Sequence, residues 1–393
     1  MVPCEAMIPR LRQQSTLSRL LERNPVVALL GARQVGKTTL ARSLVEGRKS
    51  TATFFDLERR QDLARLEDPE LALSGLRGTI VLDEIQRRPD LFPALRVLAD
   101  RPRRPARFLV LGSASPDLLR QSSESLAGRI AYHELAGLSL DEVGPANFGR
   151  LWLRGGFPRS YTARSFAESR EWRRDFVRTF LERDIPQLGI AIPAITLERF
   201  WAMLAHYHGQ VWNASEFARS FGVSHHVMRR YLDTLQATFM VSVLRPWTAN
   251  IRKRQVKSPK VYIRDSGILH SFLEVGSMRD LERHPKVGAS WEGFLLEAVI
   301  QRLEARPEQC YFWATHTDAE LDLLVVRGRD LYGFEFKRTT APRVSPSMRS
   351  AIHDLQLRRL DVVHAGAETF PLGHNIRAVA AGRILDDLGP LRS

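Results

Sequence analysis

Cysteine is scarce in this chain: Cys4 and Cys310 are the only two in 393 residues. Two thiols build neither a disulfide framework nor a cysteine-based metal cluster, so a reducing cytoplasm is the expected setting. Long apolar runs are also missing. None approaches the ~20 residues a helix needs to span a bilayer. The opening MVPCEAMIPRLRQQ has no apolar core of a secretion signal, and no membrane partner is expected. There is no internal repeat and no low-complexity tract. Acidic residues are in deficit, 44 against 58 Lys and Arg, which leaves a net charge of +14. That excess favours an anionic partner, most simply nucleic acid, although a merely basic surface gives the same sum. The hydrophobic share of 44% and the charged share of 26% are those of an ordinary folded protein. The length suits two or three domains.

Against those absences stands one strong local pattern. Val26–Leu30 is an apolar strand that runs into GARQVGKTTL, Gly31 to Leu40. A strand, then G-x-x-x-x-G-K-T, then a helix-forming stretch makes a phosphate cradle. Gly31 and Gly36 let the backbone turn sharply and present N–H groups to phosphate oxygens. The following helix adds its N-terminal dipole. Gly31, Ala32, Arg33, Gln34, Val35, Gly36, Lys37, Thr38 and Thr39 are the expected nucleotide-binding residues. Lys37 supplies charge for the β- and γ-phosphates, and the Thr38 hydroxyl ligates Mg²⁺.

A second element fits the first. Gly78–Glu84 is a buried-strand run ending in two carboxylates. Strand C-termini are where α/β sheets place ligands. Asp83 would hold Mg²⁺ through water, and Glu84 would orient or deprotonate the attacking water. The run Phe108–Ser115 is a further strand ending in small polar residues. Ser113 stands where it can sense the γ-phosphate, and a plain strand-to-turn hydroxyl explains it equally well. Arg129 can serve as an arginine finger for a neighbouring subunit, or be a surface arginine; Arg154 and Arg183 are weaker candidates.

The alternation of short apolar runs with helical patterns predicts a parallel sheet covered by helices. Its expected strands are Val26–Leu30, Thr53–Leu57, Thr79–Leu82, Arg107–Leu111 and Ile130–Leu135. Farther on, Trp172, Phe176 and Phe180 recur at helical spacing and read as core packing. Residues 212–235 read as a helix-turn-helix, with Gly222 in the turn and Val227, Tyr231, Leu232 and Leu235 facing inward. His225, His226, Arg229 and Arg230 would lie on the exposed side, where a DNA reader meets phosphates and base edges. A winged-helix unit used for protein contacts has the same pattern. The basic run from Arg252, Lys253 and Arg254 through Lys257 and Lys260 resembles a wing touching phosphate, or a solvated loop.

The C-terminal portion carries a possible second site. A helix around Trp291–Val299 precedes a strand at Gln309–Ala314 and a hairpin of Glu320–Val326 with Leu331–Phe336. Glu335 and Lys337 sit two apart on one strand and share a face, with Asp322 able to oppose them. Asp322 and Glu335 would bind Mg²⁺, Lys337 would position a water or stabilise charge, and Glu292 could complete the set, as in a metal-dependent phosphodiesterase. A structural Asp–Lys–Glu network that no longer cuts is the alternative.

As a unit, the chain resembles a family of prokaryotic AAA+-type ATPases with an N-terminal P-loop domain and a C-terminal domain of uncharacterised function. GARQVGKTTLA, TIVLDEIQ, LGSAS, SLAGR, GGFP, ERDI, SPKVYIRDSGI and FEFK carry the likeness, in that order along the chain. The resemblance implies an α/β fold: a P-loop AAA+-like parallel-sheet domain (1–140), a helical lid or linker region (141–205), a winged helix-turn-helix (206–275) and a PD-(D/E)XK nuclease-like α/β domain (276–393). It implies use of ATP and Mg²⁺, and a homo-oligomer, up to a hexameric ring, in which a neighbour completes the site. The usual Pro-Asp of the nuclease class is Leu321-Asp322 here. The expectation is an ATP-hydrolysing protein that binds and remodels DNA, helicase- or branch-migration-like. An ATP-regulated metal-dependent nuclease and a nucleotide-controlled protein-interaction switch are the alternatives.

Overall fold

The computed structural model describes residues 8–47, 51–102, 106–114, 126–248, 256–315 and 319–391. Ser115, Arg252, Lys253 and Arg254, named above, and Ser125, the first residue of SLAGR, lie outside the described residues. The chain divides into two compact units, the first ending at Gly137 and the second beginning at Leu138, with Ala237–Phe239 grouped with the first.

The first unit is built on five parallel strands: β1 (Val26–Leu30), β2 (Ala52–Asp56), β3 (Gly78–Asp83), β4 (Ala106–Gly112) and β5 (Ile130–Glu134). They lie in the order β2-β3-β4-β1-β5, so β1 pairs with both β4 and β5 in the middle of the sheet. A strand walled in on both faces has no polar side to show, which is why β1 reads VVALL and buries every residue. One face packs Val26, Ala28, Ile80, Leu82 and Phe108 against Leu91, Phe92 and Leu95 of the helix Leu91–Ala99. Helices α1 (Leu11–Arg23) and α2 (Lys37–Glu46) also pack on the sheet, burying Leu17 and Leu21, and Leu40, Ala41 and Leu44. Each such fully buried Leu or Val contributes roughly 1.5–3 kcal/mol. All five expected strands are present, with ends shifted by a residue or so.

The second unit opens with helices. Trp172, Phe176 and Phe180, packed together as their helical spacing predicted, form with Trp201 of the helix Ala194–His206 a ladder of rings with centroids 5.3, 6.1 and 5.4 Å apart. The GGFP and RDSGI segments lock together here. Gly155 has φ +78°, and a Cβ there would lie 2.1 Å from Asp265 Oδ1. Asp265 instead accepts from the N–H groups of Gly156 (2.7 Å) and Ile268 (2.9 Å). Fully buried Arg173 donates to the Gly267 (2.9 Å) and Leu153 (3.2 Å) carbonyls. These motifs therefore make a joint.

A mixed nine-stranded sheet follows. Its strands are β6 (Gln210–Val211), β7 (Val241–Pro246), β8 (Lys260–Ile263), β9 (Cys310–Ala314), β10 (Glu320–Arg327), β11 (Asp330–Lys337), β12 (Arg359–His364), β13 (Phe370–Gly373) and β14 (Ile376–Ala380). The order is β13-β14-β12-β11-β10-β9-β7-β8-β6. Between β6 and β7 come the helices Ala214–Phe221 and His225–Ala237, joined by a turn with Gly222 at φ +66°. The second helix buries Met228, Leu232 and Leu235. Val227 and Tyr231, expected inside, are only half-buried, because Met228 occupies the inner position and Tyr231 leans its ring on Phe200. The β10–β11 hairpin forms as expected, with Leu323 opposite Phe334. The helix Val287–Leu303 packs on β11, and Pro346–Leu355 packs on β10 over Trp313, Leu321 and Leu324.

Candidate functional site

The first constellation sits at the C-terminal ends of β1, β3 and β4. Directly after β1 the backbone takes positive φ at Gly31 (153°), Gln34 (62°) and Gly36 (98°) before α2 begins at Lys37. A Cβ on Gly31 would stand 2.3 Å from the Leu135 carbonyl oxygen, so the loop lies hard against the end of β5. Buried Arg10 ties the loop from outside. It donates to Val35 O (3.3 Å) and to Ala136 O and Gly137 O (3.1 Å each). Sequence reading missed Arg10, and nothing in its neighbourhood marks it.

Lys37 is buried, and its ammonium donates to the Gly31 and Ala32 carbonyls, both at 2.9 Å. Its charge is thus held within the loop that would wrap a phosphate chain. The Thr38 hydroxyl donates to Asp83 Oδ2 at 2.7 Å. Burial raises the Asp83 pKa; the Thr38 hydrogen bond opposes this, the Glu84 charge adds to it, and Lys37 offsets part. A half-buried acid beside a second carboxylate favours added positive charge. One hydroxyl oxygen and one carboxylate at that point fit a hard cation that arrives with a nucleotide and fills its shell from phosphate and water. Arg33, at the loop's tip, pairs with Glu58 at 3.0 Å, and Arg87 pairs with the same carboxylate at 3.0 Å.

Glu84 adopts a left-handed conformation, φ 58°. For a residue with a Cβ that is strained backbone, and such strain gathers at functional positions. Its carboxylate accepts from the Gln86 side chain, and from the Ser113 hydroxyl at 3.3 Å. The Gln86 amide also donates to Ser113 Oγ at 2.9 Å. Glu84, Ser113 and Gln86 therefore form one triangle. The first two were expected there; Gln86, two residues past Glu84, was missed. Arg129 is not part of this set. It precedes β5, at the opposite end of parallel strands from the loop that follows β1, and forks onto Asp100 at 2.6 and 3.0 Å. Five residues of strand put roughly 17 Å between those ends. Arg154 is tied to the Ala163 carbonyl at 2.6 Å, and Arg183 is exposed on the otherwise mostly buried helical turn Phe180–Asp184 of the second unit.

Residues 23–144 match the model of an AAA domain. Residues 146–279 and 287–384 match two domains of unknown function (DUF8612 and DUF4143). Over 379 residues the chain is 54% identical to the uncharacterized proteins Mb2031c of Mycobacterium bovis and Rv2008c of Mycobacterium tuberculosis, covering 96% of this chain and 85% of each relative. The chain belongs to their family. In this family member the parallel sheet and the AAA match make the first unit an AAA-type P-loop ATPase domain. Among solved structures it is similar to the Walker-type ATPase PABY2304 of Pyrococcus abyssi, 14% identical, with 69% of this chain and 97% of that chain covered at a TM-score of 0.47. It is also similar to the RuvB Holliday junction branch migration motor of Thermotoga maritima, 17% identical over 60% of this chain and 89% of that one, TM-score 0.29. No helix among the described residues is long and apolar enough to cross a membrane.

In the second unit, the helix His225–Ala237 exposes His225, His226, Arg229 and Arg230 together. Behind it, β6, β8 and β7 pair antiparallel.

The C-terminal cluster comes together from β8, the helix Val287–Leu303, β10 and β11. Asp322 accepts from the Phe336 N–H at 2.9 Å. Lys337 pairs with Glu335 at 2.7 Å and stands 3.8 Å from Asp322 Oδ2. The four expected residues do converge. Burial pushes Glu335 well above the usual carboxylate range, and the Asp322 charge adds to it. Glu292 rises to about 7 for the same two reasons, burial first. Sequence reading missed Tyr262 and Glu320, and it placed Lys260 in a basic wing or solvated loop; Lys260 instead starts β8 and is buried, its ammonium drawn in by these carboxylates. Lys260 Nζ lies 3.3 Å from Glu292 and 3.9 Å from Asp322 Oδ1, and is also paired with Glu320. The Tyr262 hydroxyl donates to Glu292 at 2.7 Å. A K-V-Y alternation inside an apolar strand was the available signal, since Lys260 and Tyr262 share one face. No group of three or more His, Cys, Asp or Glu among the described residues is arranged to hold a metal ion. With an ammonium already among its oxygens, this donor set does not fit a divalent cation.

Proposed function

We propose that this protein is a Mg²⁺-dependent, ATP-hydrolysing AAA+ protein that binds and remodels DNA. The observation that carries the reading is the set at the sheet's end: Lys37 held in the loop, Thr38 on Asp83 at 2.7 Å, and Glu84 tethered to Ser113. ATP would lie along Gly31–Thr38 with its phosphates on main-chain amides and Lys37. Thr38 and Asp83 would hold the accompanying Mg²⁺, which neutralises charge on the phosphates. Glu84 would take or orient the proton of the attacking water, and Ser113 would read the γ-phosphate through the same triangle. Arg129 lies too far from its own chain's loop to serve it, which supports a homo-oligomer in which it acts on a neighbour's nucleotide.

The DNA partner rests on charge and shape. The chain carries +14, and two adjacent helices, the second exposing two histidines and two arginines, are backed by three antiparallel strands. That arrangement supports a winged-helix reading, in which the second helix would enter the major groove. The test is ATP turnover with single-stranded, duplex and branched DNA, with strand exchange and cutting read in parallel. Turnover stimulated by DNA and lost in Lys37→Ala supports the proposal. Turnover indifferent to every DNA, with a protein captured instead, favours the interaction switch.

A further inference from the structure

We propose that Lys260 is the resident cation of the C-terminal acid cluster, standing where a phosphodiesterase of this layout would carry its metal ion. Lys260 comes from β8, in the segment 146–279, whereas the acids come from the segment 287–384. Its side chain is 4% exposed, with the ammonium on Glu292, Glu320 and Asp322 and over the Phe312 ring, 5.8 Å from its centroid. A buried lysine needs such partners, because an unpaired ammonium out of water is very costly. The acids need it in turn. Asp322 is shared, one oxygen facing Lys260 at 3.9 Å and the other facing Lys337 at 3.8 Å and the Phe336 N–H. Glu292 is spent on Lys260 and the Tyr262 hydroxyl, and Glu335 on Lys337 at 2.7 Å.

A divalent ion demands a near-complete oxygen shell at 2.0–2.1 Å for magnesium. Here it would have to displace two ammonium groups or sit beside them, and like charges in a buried site repel strongly. The cluster consequently works as a clasp. It fastens β8 to the hairpin and to the helix Val287–Leu303, at the place where β7 and β9 pair in parallel to make one nine-stranded sheet. This inference does not depend on the ATPase or DNA reading.

Manganese is a suitable probe, titrated into the nucleotide-free full chain and followed by paramagnetic resonance. Wild type and Asp322→Asn should give the same isotherm. Lys260→Met should gain a Mn²⁺ site at least tenfold tighter than anything wild type shows, and Lys260→Met with Asp322→Asn should lose it. Lys260→Arg should stay silent. A Mn²⁺ ion bound by wild type and lost in Asp322→Asn or Glu335→Gln overturns the proposal, and that arm needs no Lys260 variant. A folded Lys260→Met that gains no site overturns it as well.

Discussion

Gly31→Ala tests how tightly the phosphate loop is built into the first unit. The added Cβ would lie 2.3 Å from the Leu135 carbonyl oxygen, a main-chain atom at the end of β5 that cannot rotate away. The native φ of 153° adds strain for any residue with a side chain. Backbone strain of this kind costs about 1–3 kcal/mol, and forcing an extra carbon into a packed site costs about 1–3 kcal/mol more. The expected loss is therefore roughly 2–6 kcal/mol, unless the loop shifts and gives up its grip on Lys37. Either way the variant should lose thermal protection by Mg·ATP, and its urea transition by circular dichroism should move down. Gly75→Ala is the control. Gly75 ends a helix at φ −83°, with nothing within 4 Å of its Cβ position. That change should be neutral or stabilise by about 0.4–1 kcal/mol. A Gly31→Ala protein with an unchanged urea midpoint and full ATP protection would refute the packing argument.

Three further outcomes are expected. Burial holds His208 and His270 near 3, against an ordinary 6.5, so the unfolded chain binds their protons first as pH falls. Their neutral-state stability is whole above pH 6.5 and is lost as pH drops toward 3; by pH 5 each costs about 2 kcal/mol. All seven tryptophans lie in the second unit, so their fluorescence in urea reads this directly, and an unchanged pH slope in His270→Gln would count against it. Glu84→Gln should keep ATP binding but slow phosphate release by about 10²–10⁴-fold, and equal release rates would remove Glu84 from its role. Arg229→Ala with Arg230→Ala should weaken DNA binding and reduce the slope of log affinity against log salt by about 2, whereas an unchanged slope would take that helix off the phosphates.

The phosphate loop was legible because its physics is local. An apolar strand, two glycines that allow sharp turns, and a lysine at a helix start all fall within thirteen residues of each other. Asp83 and Glu84 were legible for the same reason, at the end of a run too apolar to be anything but a central strand. Gln86 was not, because its partner Ser113 lies just past the next strand and becomes a neighbour only when β3 and β4 pair. The same limit put Lys260 in a basic wing rather than in the acid cluster. Its carboxylates lie 32, 60 and 62 residues ahead, on a helix and a strand of the segment that follows. Asp322 and Glu335 both lie within 3.8 Å of Lys337, but the charge that fills the cluster comes from elsewhere. His270 was likewise invisible. Its ring is wired to Leu153 O (3.0 Å) and Ser290 Oγ (2.7 Å), and that hydroxyl accepts from Trp152 at 3.0 Å, a polar chain inside what reads as aromatic core.

The most direct measurement is phosphate release from Mg·ATP by purified wild-type protein and by Lys37→Ala, each checked for folding. Turnover by wild type that falls at least 100-fold in the variant, or about 3 kcal/mol of barrier, is the predicted result. A wild-type chain that neither binds nor hydrolyses ATP, or a variant that turns over equally fast, would contradict the account.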